Sequence, residues 1–204
     1  HGMLANTTYP SLSGTSVYWD FVELPSQIFE NWCYEEEALK LFGRHYLTGE
    51  LIPMDLVNKI KDSSNFLEGL ATLRQLSFGF LDMAWHYSDC SAVTDVKAYE
   101  NFAFEGTKIY PDVAENCMST AFSHIFQGGY SSGYYSYKWA EVLDADAFEA
   151  FKERGIFDKA TAESYRRKIL EKNGIKDAMQ MYVDFRGREP LIEPLLKNRG
   201  LMQE

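Results

Sequence analysis

Positive charge is scarce in this chain: 20 Lys and Arg stand against 30 Asp and Glu, a formal net charge of −10 over 204 residues. So acidic a chain, with no basic stripe, is a poor partner for nucleic acid. Cysteine is nearly absent. Cys33, Cys90 and Cys117 are far apart and odd in number, which argues against a disulfide frame or a metal knuckle and predicts buried free thiols. No apolar run approaches the roughly 20 residues of a bilayer span, and no signal peptide opens the chain. The common chemical fingerprints are missing too. None of the four histidines, His1, His45, His86 and His124, sits in an H-x-x-x-H or H-E-x-x-H pattern, so there is no self-contained zinc helix. G-x-S-x-G, P-loop and Rossmann fingerprints do not occur either. By spacing alone, His45 and His86 read as structural. What remains is ordinary globular composition, 46% hydrophobic and 25% charged. It predicts a soluble, acidic, intracellular domain long enough to bury a core. The opening "HGMLANTTYP" has no initiator methionine, which suits either a tag remnant or a piece cut from a longer chain.

Hydrophobic periodicity predicts a mainly α architecture in one compact unit, with weak strand signals and no repeats. One helix is expected from Pro25 to Tyr46, where Ile28, Trp32, Leu39, Phe42 and Tyr46 recur at helical spacing. Others are expected over 54–62, over the largely apolar 66–88, and over 94–104 with Thr94 as its cap. Trp139, Val142, Leu143, Ala147, Phe148 and Phe151 mark a further helix up to Gly155. Asp158 suits the cap of a helix running to Lys172 and ended by Asn173-Gly174. Helical pieces over 176–185 and 191–198 flank the turn "FRGREP".

Two stretches carry candidate chemistry. In "DFVELPSQIFENW", residues 20–32, Glu23 lies among Phe21, Val22, Leu24 and Pro25. A carboxylate in apolar company needs a partner. The readings are a salt bridge or surface turn, or a metal ligand whose companions come from elsewhere. In "HIFQGGYSSGYYSYKW", residues 124–139, one histidine and four tyrosines surround Gly128, Gly129 and Gly133. Glycine permits backbone conformations that other residues resist. A tyrosine hydroxyl is a neutral donor at working pH and can stabilise a developing oxyanion; His124 can donate likewise. The alternative is an aromatic core cluster, which Tyr134 and Tyr135, adjoining the next helix, fit better than Tyr130 and Tyr137.

Three long motifs, "GTSVYWDFVELPSQIFENW", "HIFQGGYSSGYYSYKWAEVLDADAFEAF" and "FRGREPLIEPLLKNRGL", resemble the C-terminal part of thimet oligopeptidase-like zinc metallopeptidases, in the branch of the peptidyl-dipeptidases. In order and separation they cover most of the chain. The resemblance implies a mainly α, zincin-like fold of two lobes enclosing a channel for oligopeptides. It implies that the H-E-x-x-H helix, with two zinc ligands and the general base, lies upstream of residue 1. His1 then falls shortly past the second zinc histidine and is no ligand itself. Glu23 matches the family's third zinc ligand, in D-F-V-E-x-P-S-Q. His124, Tyr130 and Tyr137 match its substrate-binding and oxyanion-stabilising residues, with Tyr137 the expected oxyanion donor. Gly128, Gly129 and Gly133 then belong to a segment that closes on peptide, and Asp20 and Glu30 are candidates to orient ligands or touch substrate. The expected cofactor of the intact enzyme is zinc, which this piece alone would not hold. The expected partners are an oligopeptide substrate, no nucleic acid, no membrane, and further copies of the chain at surface exposed by truncation. A cytoplasmic setting is expected unless a signal peptide lies upstream. The alternative function is a non-enzymatic helical peptide-binding module that lacks the zinc helix.

Overall fold

The computed structural model describes residues 1–202. In chain order its α-helices are α1 (Leu24–Glu30), α2 (Glu36–Phe42), α3 (Met54–Ser64), α4 (Glu68–Tyr87), α5 (Val96–Ala103), α6 (Met118–Ala121), α7 (Ser123–Phe126), α8 (Ser136–Arg154), α9 (Lys159–Tyr165), α10 (Ala178–Arg186) and α11 (Glu193–Asn198). Among the described residues there is no strand, only an isolated bridge between Arg44 and Leu51. The mainly α expectation therefore holds. No helix among the described residues is long and apolar enough to cross a membrane.

The helix expected from Pro25 to Tyr46 is broken. α1 passes into a 3-10 turn, Asn31–Tyr34, and Glu35 is extended before α2 begins. Asn31 turns its amide back onto the Ile28 carbonyl at 3.0 Å, a side-chain bond that competes with continued helix. Trp32 meanwhile donates its indole N–H to the Ile156 carbonyl at 3.0 Å. Glu36 and Glu37 then fall in the first turn of α2, where the helix dipole favours negative charge. The cap of α5 is Asp95, not Thr94: its carboxylate accepts the Ala98 N–H at 2.9 Å, a stronger acceptor one residue closer to the helix. Asp158 caps α9 as expected, accepting the Thr161 N–H at 2.7 Å. The continuation towards Lys172 widens into a π turn over Arg166–Leu170, where Ile169 and Leu170 are both buried.

The chain forms two compact units, residues 1–66 with 139–202 and residues 67–138. In the first, Phe21, Leu24 and Ile28 pack with Leu143, Phe148, Phe151, Ile169 and Met181. Each such fully buried side chain is worth about 1.5–3 kcal/mol. Trp32 meets Phe148 and Phe151 edge-on at 4.8 and 4.9 Å. Asp146, with no exposed surface, ties the "FRGREP" segment to α8. It accepts two bonds from the Arg188 guanidinium, at 2.9 and 2.6 Å, and one from the Tyr182 hydroxyl at 2.6 Å. Gly187, at φ +82, ends α10 just before this pair.

In the second unit Leu81, Phe122 and Ile125 are buried among Phe78, Trp85, Phe104 and Tyr134. Glu100 of α5 accepts the backbone N–H and hydroxyl of Ser119 at 2.6 and 2.8 Å. Burial alone would raise its carboxyl, but these donors and Lys97 outweigh that and hold it below the usual range. All three cysteines are free thiols. Cys33 is exposed and the other two are half-buried, so the expectation of buried thiols fails. Cys33 lies in the 3-10 turn that interrupts the predicted helix.

Candidate active site

Glu23 sits at the entry to α1, half-buried, between the buried side chains of Val22 and Leu24. Pro25 occupies the first turn, where no N–H is needed. One turn on from Glu23, Ser26 donates its hydroxyl to the Glu23 carboxylate at 2.6 Å and lies 3.0 Å from its carbonyl. The E-L-P-S spacing thus fixes one carboxylate oxygen and the direction of the other. Asp20 lies half-buried in the preceding 3-10 turn, Trp19–Phe21, and Glu30 is exposed at the end of α1.

One hard oxygen ligand, held by a hydroxyl, fits zinc chemistry. No group of three His, Cys, Asp or Glu among the described residues is placed to hold a metal ion.

Glu30 also lines a cleft of about 670 Å³ within the first unit, with Asn31, Glu141, Asp144, Lys152 and Arg199. Burial pushes the Asp144 carboxyl up to about 7, and the neighbouring charges of Glu141 and Glu30 add to the shift. The Asn31 amide, donating at 3.2 Å, and Arg199 oppose it. Arg199 pairs with Glu141 at 3.4 Å.

In the second unit the structure brings His124, Tyr130 and Tyr137 together. His124 is exposed on the short helix α7, and Tyr137 lies in the first turn of α8. The ring of His124 is 5.9 Å from that of Tyr130 and 6.3 Å from that of Tyr137. Tyr130 and Tyr137 stack at 4.8 Å with 20° between their planes. Tyr130 is the more enclosed of the two, only 8% exposed. The two anchor tyrosines diverge. Tyr134 packs against Phe78 and Phe122 and donates its hydroxyl to Gln75 at 3.4 Å, and burial raises its phenol above the usual range. Tyr135 is 51% exposed and belongs to no core cluster. It follows Tyr134 by one residue at the start of a helix, so the two point different ways.

The glycines between His124 and Tyr137 have separate jobs. A Cβ on Gly128 would lie 2.8 Å from the His124 Cα and 2.9 Å from its carbonyl oxygen, so only glycine allows this close approach. Gly129 takes φ +84. Gly133 is buried and donates its N–H to the Tyr130 carbonyl at 2.8 Å. Asp82 of α4 escaped the sequence reading. Its carboxylate accepts the N–H groups of Ser132 and Tyr134 at 2.9 and 2.8 Å. The available signal was an aspartate in the apolar run "GFLDMAWH" with a histidine four residues on. That histidine, His86, places Nδ1 2.8 Å from the Asp82 carboxylate. His45 accepts the Thr48 N–H at 3.2 Å in a surface turn.

Comparison with known proteins shows the family of this mainly helical chain. The model of peptidase family M3 matches residues 1–201. The chain is 43% identical to a probable cytosolic oligopeptidase A of Arabidopsis thaliana over 193 residues, 92% of this chain and 27% of that protein. It is 42% identical to oligopeptidase A of Salmonella typhimurium over 205 residues, and 36% identical to dipeptidyl carboxypeptidase of Escherichia coli over 203 residues. Each of these two matches covers 98% of this chain and 30% of the relative. The chain belongs to peptidase family M3, a family of zinc metallopeptidases. It spans about three tenths of the length of the curated relatives it matches.

Proposed function

We propose that this chain is the C-terminal portion of the catalytic domain of a zinc oligopeptidase, cytoplasmic like the Arabidopsis relative named above, whose H-E-x-x-H helix lies upstream. The observation that carries the reading is the His124–Tyr130–Tyr137 cluster, held at fixed ring distances on a loop that only glycine at position 128 allows. Glu23 would be one oxygen ligand, its carboxylate set by Ser26. Bound zinc would polarise the scissile carbonyl and acidify an attacking water. The chain's own residues do the rest of its share. The Tyr137 hydroxyl donates to the oxygen that gains charge as the peptide carbon becomes tetrahedral. Tyr130, stacked on its ring, fixes the direction of that donor. His124, exposed beside both, donates to the peptide backbone. Asp20 and Glu30 flank Glu23 in sequence and are the candidates to orient it or meet substrate.

Replacing Tyr137 by Phe in the complete protein removes one hydroxyl and nothing else. The expected result with a quenched peptide is a fall in kcat on the order of 10²-fold, by comparison with loss of one oxyanion donor elsewhere. KM should change little, because the bond strengthens only in the transition state. An unchanged kcat would sink the catalytic reading and favour a peptide-binding module. Isolated from the rest of the complete protein, the chain leaves Leu41, Phe42, Tyr46 and Leu47 exposed in one stretch, and it should self-associate through such surface. Light scattering checks this: a monodisperse monomer at high concentration argues against it.

A further inference from the structure

The backbone of the tyrosine loop is tied to α4 through the Asp82 carboxylate. Asp82 is 1% exposed, and a buried carboxylate is costly unless N–H groups surround it. Three do. Its Oδ1 accepts Ser132 N–H and its Oδ2 accepts Tyr134 N–H. One helical turn on, His86 Nδ1 lies 2.8 Å from Oδ1 and 3.0 Å from the Asp82 carbonyl. Both partners of that nitrogen are acceptors, so it carries the proton.

The turn being held is not a relaxed one. Ser132 has φ +57, a left-handed conformation that a side-chain-bearing residue rarely adopts and that persists only where its surroundings impose it. The two clamped amides flank Gly133 and lead directly into α8. Tyr134 then seats against Phe78 and Phe122, 5.1 Å from the ring of Tyr137. Tyr130 lies on the other side of the same turn, its carbonyl accepting the Gly133 N–H. Both members of the stacked Tyr130–Tyr137 pair therefore leave a turn whose shape Asp82 sets.

We propose that Asp82, seated by His86, is a positioning residue for hydrolysis: it fixes the strained Ser132–Tyr134 turn and thereby aims the Tyr137 hydroxyl. The inference rests on the reading of Tyr137 as an oxyanion donor. A plain core pin would lower stability alone. A positioning residue also costs kcat, and costs it only while the Tyr137 hydroxyl is present.

The test is a double-mutant cycle in the complete protein, with Asp82→Asn, Tyr137→Phe and both together. Hydrogen exchange is followed at the Ser132 and Tyr134 amides. Asparagine keeps the shape but turns an NH2 towards one of the donors. The expected result is faster exchange at both amides and a kcat lower by roughly 10- to 100-fold, the scale of a small misplacement of a catalytic group. In the Tyr137→Phe background, Asp82→Asn should cost less than about 2-fold, the non-additivity of residues acting as one unit. Equal losses in both backgrounds, or no loss in either, overturn the proposal. If Tyr137→Phe alone leaves kcat unchanged, the catalytic reading falls and the proposal with it, whereas faster exchange would still identify the clamp. Should Asp82→Asn fail to fold, His86→Gln keeps the carboxylate and its two backbone donors. It should then show the same background dependence at smaller size, and its absence counts against the proposal.

Discussion

Asp144 is held in the cleft of the first unit, where the Asn31 amide donates to its carboxylate, and burial lifts its carboxyl from 3.8 to about 7. The sign of the consequence follows from linkage. Between about pH 4 and pH 7 the folded chain keeps a proton that the unfolded chain has released. The stabilising share of this group is therefore complete below pH 4, falls as pH rises through 7, and is gone above it. Asp144→Asn removes the dependence. Relative to wild type, the variant should gain stability in urea unfolding between pH 5 and pH 8, and a constant difference over that range would refute the assignment. Residue identity announced the partners of Glu23 better than those of Asp144. Ser26 sits one turn from Glu23 in the same motif, whereas Asn31 and Asp144 are 113 positions apart, beyond anything periodicity can couple. The tyrosines were legible as a cluster but not one by one. Composition left the four balanced and nearness to the next helix favoured Tyr134 and Tyr135 for the core, yet Tyr130 is buried and Tyr135 is not, because loop direction and not residue type decides which ring turns inward.

At the scale of elements, long apolar helices were the most legible. α4 and α8 appear within two or three residues of the ranges their periodicity predicts, since a buried face of several turns leaves a strong 3.6-residue signal. Short-range chemistry misled where a long-range bond won. The single helix expected over 25–46 splits because Asn31 and Trp32 spend their donors on partners that periodicity cannot see, Asp144 and Ile156. The "FRGREP" turn was legible as a turn. Its reason was not: Arg188 reaches the buried Asp146, 42 positions away. The same holds for the tyrosine loop. Its glycines announced a tight backbone, and the geometry at Gly128 explains one of them. The anchor is Asp82, 50 positions earlier than Ser132, so sequence could offer only an aspartate and a histidine one turn apart.

For the whole molecule the central claim is one of division. On the proposed reading this chain would supply Glu23 as one zinc ligand and the His124–Tyr130–Tyr137 loop as substrate-contacting and oxyanion-stabilising groups, and the remaining ligands would come from the complete protein. A lone carboxylate cannot hold zinc at the affinity of a protein site. The most direct test measures zinc content and peptide hydrolysis side by side in three samples: the complete protein, its Glu23→Gln variant and the isolated chain. The account predicts stoichiometric zinc and cleavage in the first, and loss of both in the second and third. Full zinc occupancy in the Glu23→Gln variant, or stoichiometric zinc with cleavage by the isolated chain, would contradict it.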